Sequence, residues 1–180
     1  MKNKKYCVIL VCLLVEVSML WGYGMHDLYI NPNMEKIEKG KAEQILEAIK
    51  NKDKKSLRSL FVPEIEDLSP TYNEDVKALF EKYEMQSYEI ISIAVCPATS
   101  SFGDGNIFVR WETFCDIEID DGFYSLIFID IKKDTKNKKN IGLYAIELVE
   151  REKVRKIGIT VDDMGAGVFN LERYMKSHKE

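Results

Sequence analysis

Apolar residues change their period partway along the chain. Ile37, Ile45, Leu46 and Ile49 recur at helical spacing, with lysines and glutamates on the opposite side. Gly40 weakens the start of that pattern, so its firm part spans Lys41–Asn51. Asp53 can cap a second short helix that presents Leu57, Leu60 and Phe61, and Pro63 ends it. A third helix begins at Asn73, with Val76, Leu79, Phe80 and Tyr83 on one side.

From Ser87 the period falls to two. Ile91, Ile93 and Val95 alternate with polar or small residues, and Pro97–Gly105 reads as a loop. Ile107, Val109, Trp111 and Thr113 alternate with Phe108, Arg110, Glu112 and Phe114. Asp120-Asp121-Gly122 is a hairpin signal. Phe123–Ile131 is almost continuously apolar, as in a strand covered on both faces. After a polar loop at 134–140, strands are predicted at Ile141–Val149 and Val154–Val161. Three helices followed by about five antiparallel strands predict an α+β domain over residues 34–165. Its sheet needs a helical cover on one face. The partly apolar other face would suit a second copy of the chain, so a homodimer through the sheet face is one possible assembly.

The first 24 residues follow a different pattern. Lys2, Lys4 and Lys5 precede an apolar run from Tyr6 to Val15; Glu16 interrupts it, and Val17–Trp21 leads to Gly22-Tyr23-Gly24. A positive start, a short apolar middle and small residues at the exit are the marks of an export signal. The run is about half the roughly 20 residues needed to span a bilayer. Leu20-Trp21-Gly22-Tyr23 has the spacing of a bacterial lipobox, with tyrosine where the lipidated cysteine belongs. A phenol cannot replace the sulfur in a thioether. Either the leader is cleaved at a small-x-small site, or the chain has lost a lipoprotein anchor. Both readings place the domain outside the cytoplasm, at the cell surface or beyond, with the membrane engaged only through the leader. Residues 25–33 read as a linker, and residues 166–180 as a C-terminal tail that is amphipathic over Val168–Lys176.

Charge removes one class of partner. Taking the leader's three lysines and one glutamate from 26 basic and 30 acidic side chains leaves 23 against 29, a formal −6. Nucleic acid requires a basic face, and the lysine-rich stretches here alternate with acids. Outside the leader only Cys96 and Cys115 remain. In a hairpin about the 100–105 loop, one lies near the turn and the other at the far end, too distant for a disulfide. Two separate buried thiols are expected.

The arrangement of helices followed by a long meander resembles the nuclear-transport-factor-like, or cystatin-like, cone. More narrowly, the chain resembles small bacterial lipoproteins of unknown function with that fold. The matching stretches are Ala42–Phe61 (AEQILEAIKNKDKKSLRSLF), Tyr124–Asp130 (YSLIFID), Asn140–Tyr144 (NIGLY) and Arg155–Val161 (RKIGITV). The resemblance covers roughly residues 34–165. It implies a pocket between helices and sheet and supplies no catalytic residues.

The chemistry-bearing motifs are sparse. His26 lies in the linker and His178 near the end, so histidine triads and histidine metal sites lack parts. Asp116–Gly122 looks like the front of a calcium loop, but its glycine is seventh, and Ile127 stands where a bidentate glutamate is needed. Gly165-Ala166-Gly167 lacks the third glycine of a dinucleotide fingerprint, with Asn170 in its place. No cofactor, metal ligand set or catalytic residue is assigned.

The pocket candidates are Trp111, Arg110, Glu112, Tyr124, Asp130 and Tyr144. In a cone, a buried carboxylate beside a tyrosine can move protons. Alternation sets Trp111 opposite to Arg110 and Glu112, and six residues separate Tyr124 from Asp130 by about 20 Å. An aromatic core with charges at its rim explains the same residues. The expectation is therefore a non-enzymatic domain that binds a small ligand or protein partner. An isomerase- or hydratase-like enzyme on the same fold is the alternative.

If the leader directs export, cell fractionation with N-terminal sequencing will find residues 1–24 removed, or the chain held at the membrane. Soluble cytoplasmic protein beginning at Met1 would refute export. Under the lost-anchor reading, Tyr23→Cys allows palmitate labelling.

Overall fold

A computed structural model describes residues 33–101, 105–157 and 164–169. The chain divides into two units, Met1–Met34 and Glu35–Glu180, and the described elements lie in the second apart from Met34. The leader, residues 25–32 of the linker, both histidines and the tail beyond Phe169 lie outside the described residues.

The fold is α+β. Helices α1 (Met34–Lys50), α2 (Lys54–Leu60), α3 (Ile65–Leu68) and α4 (Tyr72–Lys82) come first. Strands β1 (Tyr88–Ser101), β2 (Ile107–Ile119), β3 (Gly122–Asp134) and β4 (Gly142–Glu150) follow as an antiparallel meander. Helix α5 (Arg151–Ile157) and a two-residue strand β5 (Gly167–Val168) complete it. The sheet order is β1-β2-β3-β4-β5, with β5 parallel to β4.

Helix α1 begins earlier than its sequence suggests and runs through Gly40, where a Cβ would meet open space. Its buried face is Glu38, Ala42, Ile45, Leu46 and Ile49, and Ile37 is exposed. An acid thus takes the core position expected for an isoleucine. Asp53 caps α2 as expected: its Oδ1 accepts from the Ser56 N–H at 3.0 Å, and its Oδ2 accepts from the Ser56 hydroxyl. Those bonds hold the Asp53 carboxyl below the usual carboxylate range. Helix α4 buries the anticipated Val76, Leu79 and Phe80; Tyr83, just past its end, donates its hydroxyl to the Leu148 carbonyl.

Between these helices, the chain after α2 touches the sheet directly. Phe61 bridges to Leu143, and the Val62 N–H donates to the Leu143 carbonyl at 3.0 Å. Gly142 permits that approach. It has φ 135°, and a Cβ there would lie 3.3 Å from both the Leu60 carbonyl oxygen and the Val62 nitrogen.

Several boundaries differ from expectation. Strand β1 continues through Pro97 to Ser101 instead of ending in a loop. It is the edge strand, where proline is tolerated. The segment expected as a strand at Val154–Val161 is helical through Ile157, and residues 158–161 lie outside the described residues. Its start, Arg-Glu-Lys-Val-Arg-Lys, is rich in strong helix formers, and a short apolar alternation does not distinguish the two states. Four strands are antiparallel as expected, but the fifth is the parallel β5. Cys115 is buried, but Cys96 is exposed, so only one of the two thiols is a core residue; both are free. Burial pushes the Cys115 thiol up to about 12, which keeps it protonated and unreactive.

The main core packs α1, α2 and α4 against Cys115, Ile117, Leu126, Phe128, Leu143, Ile146 and Leu148. A smaller cluster on the opposite sheet face joins Ile127, Ile129, Ala145 and Met164, with Val154 and Phe169 packed against it. Part of the sheet face proposed for a second copy is therefore covered by the chain's own α5 and residues 164–169. Strand β3 is buried on both faces from Ser125 to Ile131, which is why its sequence is almost continuously apolar.

Trp111 is 7% exposed on β2, an interior strand. Trp111→Ala is expected to cost about 3–5 kcal/mol in denaturant unfolding, as large-to-small core changes do. A loss below about 0.5 kcal/mol would mean that the indole contributes no packing.

Candidate functional site

The six candidate residues occupy three places. Trp111 and Asp130 are register partners on the helix-facing side of the sheet. They belong to a charged cluster under α1. Glu38 is fully buried and Asp130 is 1% exposed. Lys132 donates to Glu38 Oε1 and to Asp130 Oδ2, each at 2.5 Å, and its Nζ lies 4.4 Å from the Trp111 ring centroid. Lys41 donates to Asp130 as well, and the Thr113 hydroxyl donates to Glu38 Oε2 at 3.2 Å.

Two carboxylates and two ammonium groups cancel in formal charge. The lysine side chains stay about one-fifth exposed, so their stems cross apolar surface while their heads meet buried acids. Burial pushes the Glu38 carboxyl up, partly offset by its hydrogen bond from Lys132. Every charge in this cluster has a partner, and the cluster lies between α1 and the sheet.

Lys132 reaches the cluster through a backbone irregularity. Val109 pairs with Lys133 and Arg110 with Ile131, which leaves Lys132 as the extra residue of a β-bulge. A second bulge on β4 involves Tyr144: Ala145 pairs with Ile129 and Leu143 with Asp130.

Tyr144 and Arg110 meet on the outer face of the sheet. They line a groove of about 280 Å³ with Val62, Leu68, Phe108, Ile129, Ile131 and Asn140. Arg110 Nη2 lies 2.7 Å from Glu112 Oε1, so Glu112 joins this face through the ion pair. Leu68, at the end of the four-residue α3, is 49% exposed. The groove is mainly apolar with polar groups at Arg110, Asn140 and Tyr144. Tyr124 belongs to neither place; it packs edge-on against Tyr83, with ring centroids 5.8 Å apart. The structure thus brings Trp111 together with Asp130, and Arg110 together with Tyr144 and Glu112, and isolates Tyr124.

Sequence reasoning did not single out Glu38, Lys41, Lys132 or Glu147. The signal for Glu38 was an acid at the helical spacing of Ala42, Ile45 and Ile49. The signal for Glu147 was an acid inside an apolar strand. Glu147 is 2% exposed, and its Oε2 has no hydrogen-bond partner. Burial pushes its carboxyl up to about 7, against a smaller opposite pull from Lys82. Among the described residues, no group of histidine, cysteine and acidic side chains could hold a metal ion. No described helix is long and apolar enough to cross a membrane.

This chain belongs to the family defined by the Domain of unknown function DUF5104, which matches residues 44–151. The match runs from within α1 to the first residue of α5 and so includes the whole four-stranded meander and the outer groove. A comparison with curated proteins finds no match.

Glu147 makes stability depend on pH in a definite direction. Its folded value of about 7 lies above the ordinary 4.5, so its contribution is fully present below about 4.5 and is lost as pH rises through 7. Each pH unit between those values is worth about 1.4 kcal/mol. Denaturant unfolding at pH 5 and pH 8 should show wild type losing about 2.5 kcal/mol relative to Glu147→Gln. Parallel profiles would show that Glu147 titrates normally.

Proposed function

We propose that this protein is an exported, non-enzymatic binding domain, whose outer groove takes a small, largely apolar ligand with one polar end. The observation that carries the reading is the groove itself. Ile129 and Ile131 lie on an interior strand; Arg110 and Tyr144 supply polar groups at positions set by the sheet and its bulge, and Asn140 supplies one from the turn at Lys138–Asn140. A preformed apolar concavity with a few placed polar groups is the usual form of a small-molecule site. Export rests on the leader's basic start, short apolar run and small-residue exit. The helices-then-meander order supports kinship with the cystatin-like cone and with small lipoproteins of that fold. In that lineage Tyr23 stands for the lost anchor cysteine.

The isomerase or hydratase alternative needs a reactive carboxylate beside a tyrosine. Asp130 is held by Lys41 and Lys132, and Glu112 by Arg110. Neither carboxylate is thereby kept for proton transfer. A protein partner or a second copy on the sheet face would leave the groove without a small-molecule preference.

The test is an apolar fluorescent probe, an anilinonaphthalene sulfonate, titrated into purified protein and displaced by a fragment library. Arg110→Ala and Tyr144→Ala should each weaken the probe or its displacing fragments by about 3–10-fold, the worth of one polar contact. Equal affinity in both variants would move the ligand elsewhere. Turnover in a substrate panel that vanishes in Asp130→Asn or Glu112→Gln, with the fold intact, would establish the enzyme instead.

A further inference from the structure

A cleft at the margin of the sheet, between α4 and β4, differs from the outer groove in both charge and burial. It has a volume of about 410 Å³, and its lining includes Asp75, Glu81, Lys82, Tyr83, Glu147 and Phe169. Glu147 is the unusual member. It pairs in register with Ile127 and lies between Ala145 and Val149 on one side of β4, where both neighbours are apolar and buried. Any apolar residue would satisfy that position by packing. An acid leaves a buried oxygen, Oε2, with no donor. Leaving such a group unpaired costs about 1–3 kcal/mol, and more when it is charged. About nine in ten buried polar atoms in native proteins are paired, with protein or ordered water. Tyr72, Thr99 and Trp111 also leave one unpaired atom each, but of the four only Glu147 is a carboxyl that a positive donor would neutralise.

The rest of the lining selects the kind of partner. Three carboxylates face one lysine, which excludes phosphate, sulfate and carboxylate ligands. Asp75 is itself 3% exposed, and its Oδ2 accepts from the Thr71 hydroxyl at 2.6 Å. The Tyr83 hydroxyl is committed to the Leu148 carbonyl, so toward a ligand this residue contributes its ring. That ring already attracts a cation: Lys82 Nζ lies 5.4 Å from its centroid. Phe169 supplies a second ring, held by its N–H donating to the Ile146 carbonyl at 2.8 Å. Acids with aromatic faces and an apolar wall of Leu79 and Val168 suit an alkyl chain ending in a positive N–H donor.

We propose that this cleft is a binding site for a small organic ammonium, whose N–H donates to the Glu147 carboxylate and whose alkyl chain lies along Leu79 and Val168. The site is separate from the outer groove and does not depend on the reading given to it. Because an ammonium binds the carboxylate far more strongly than the neutral acid, binding favours loss of the proton that burial keeps on Glu147. Below about pH 7 the affinity should therefore fall with decreasing pH, by up to tenfold per unit, and above that it should level off. The groups that face Glu147 from the packed elements are Asp75, Glu81, Lys82 and Tyr83 of α4 and its end.

The experiment titrates n-butylammonium chloride into the purified full chain at pH 6 and pH 8. Isothermal calorimetry reads the affinity, and carboxyl carbon NMR of glutamate-labelled protein reads the Glu147 titration. The expected result is saturable binding at pH 8, weaker by several-fold at pH 6. The Glu147 midpoint should move down in the presence of ligand, and n-butanol should show no saturable binding. Glu147→Gln should weaken binding at least tenfold at pH 8, with its amide spectrum showing an intact fold. Should Glu147→Gln not fold, the wild-type midpoint decides alone: a midpoint that butylammonium does not move overturns the proposal. So does the absence of saturable binding at pH 8, or a folded Glu147→Gln protein that binds as tightly as wild type.

Discussion

The burial of β3 on both faces is the constraint on which the rest of the structure depends. A strand with apolar side chains on only one face can leave the other in water. From Ser125 to Ile131 this one cannot, because every residue there is buried. The sheet therefore needs two covers. Helices α1, α2 and α4 supply one, packing on Leu126 and Phe128. The other is assembled after β4, when α5 and residues 164–169 return over Ile127 and Ile129. The two faces of β3 also separate the candidate chemistry. Asp130 points to the helices, and Ile129 and Ile131 point to the outer groove.

The bulges refine that division. Regular alternation would leave Lys132 and Tyr144 in places set only by parity. One extra residue on each strand re-aims a side chain at the cost of a local break in pairing. In β3 the break sets the Lys132 ammonium over the Trp111 ring and between two buried acids. In β4 it places Tyr144 at the groove, next to the point where Gly142 lets the chain after α2 approach the sheet. Irregularity in the sheet and closeness of the helical layer thus occur together at the groove.

Buried acids are handled in two opposite ways. Glu38 and Asp130 lose water but gain lysines and a threonine hydroxyl, and such a network holds a helix in register against a sheet. Removing any one partner would strand a buried charge, which is far more costly than the pair is stabilising. Glu147 loses water and gains no hydrogen bond on Oε2, so it holds its proton to about pH 7. The first arrangement is self-sufficient and leaves little to offer a ligand. The second is incomplete within the described chain, and an unmet donor requirement is the more direct pointer to binding.

Much of the fold was legible in the sequence by itself. Helical spacing from Ile45 to Tyr83, the alternation through Trp111 and the apolar run of β3 determined the order of elements and the α+β class. They did so because periodicity is a local property that any packed structure must respect. The Asp53 cap and the 120–122 turn were legible for the same reason. The exchange of Ile37 for Glu38 on the buried face was not, since it depends on Lys132 arriving from 94 residues away. The helix at Arg151–Ile157 was misread because a short amphipathic stretch fits either period until β3 offers a surface to cover. The six candidate residues were correctly placed on their strands, but their separation into three places was decided by register, bulges and layer contacts. Those are pairings between distant segments, and only the tertiary structure, where their energies are summed together, could choose among them.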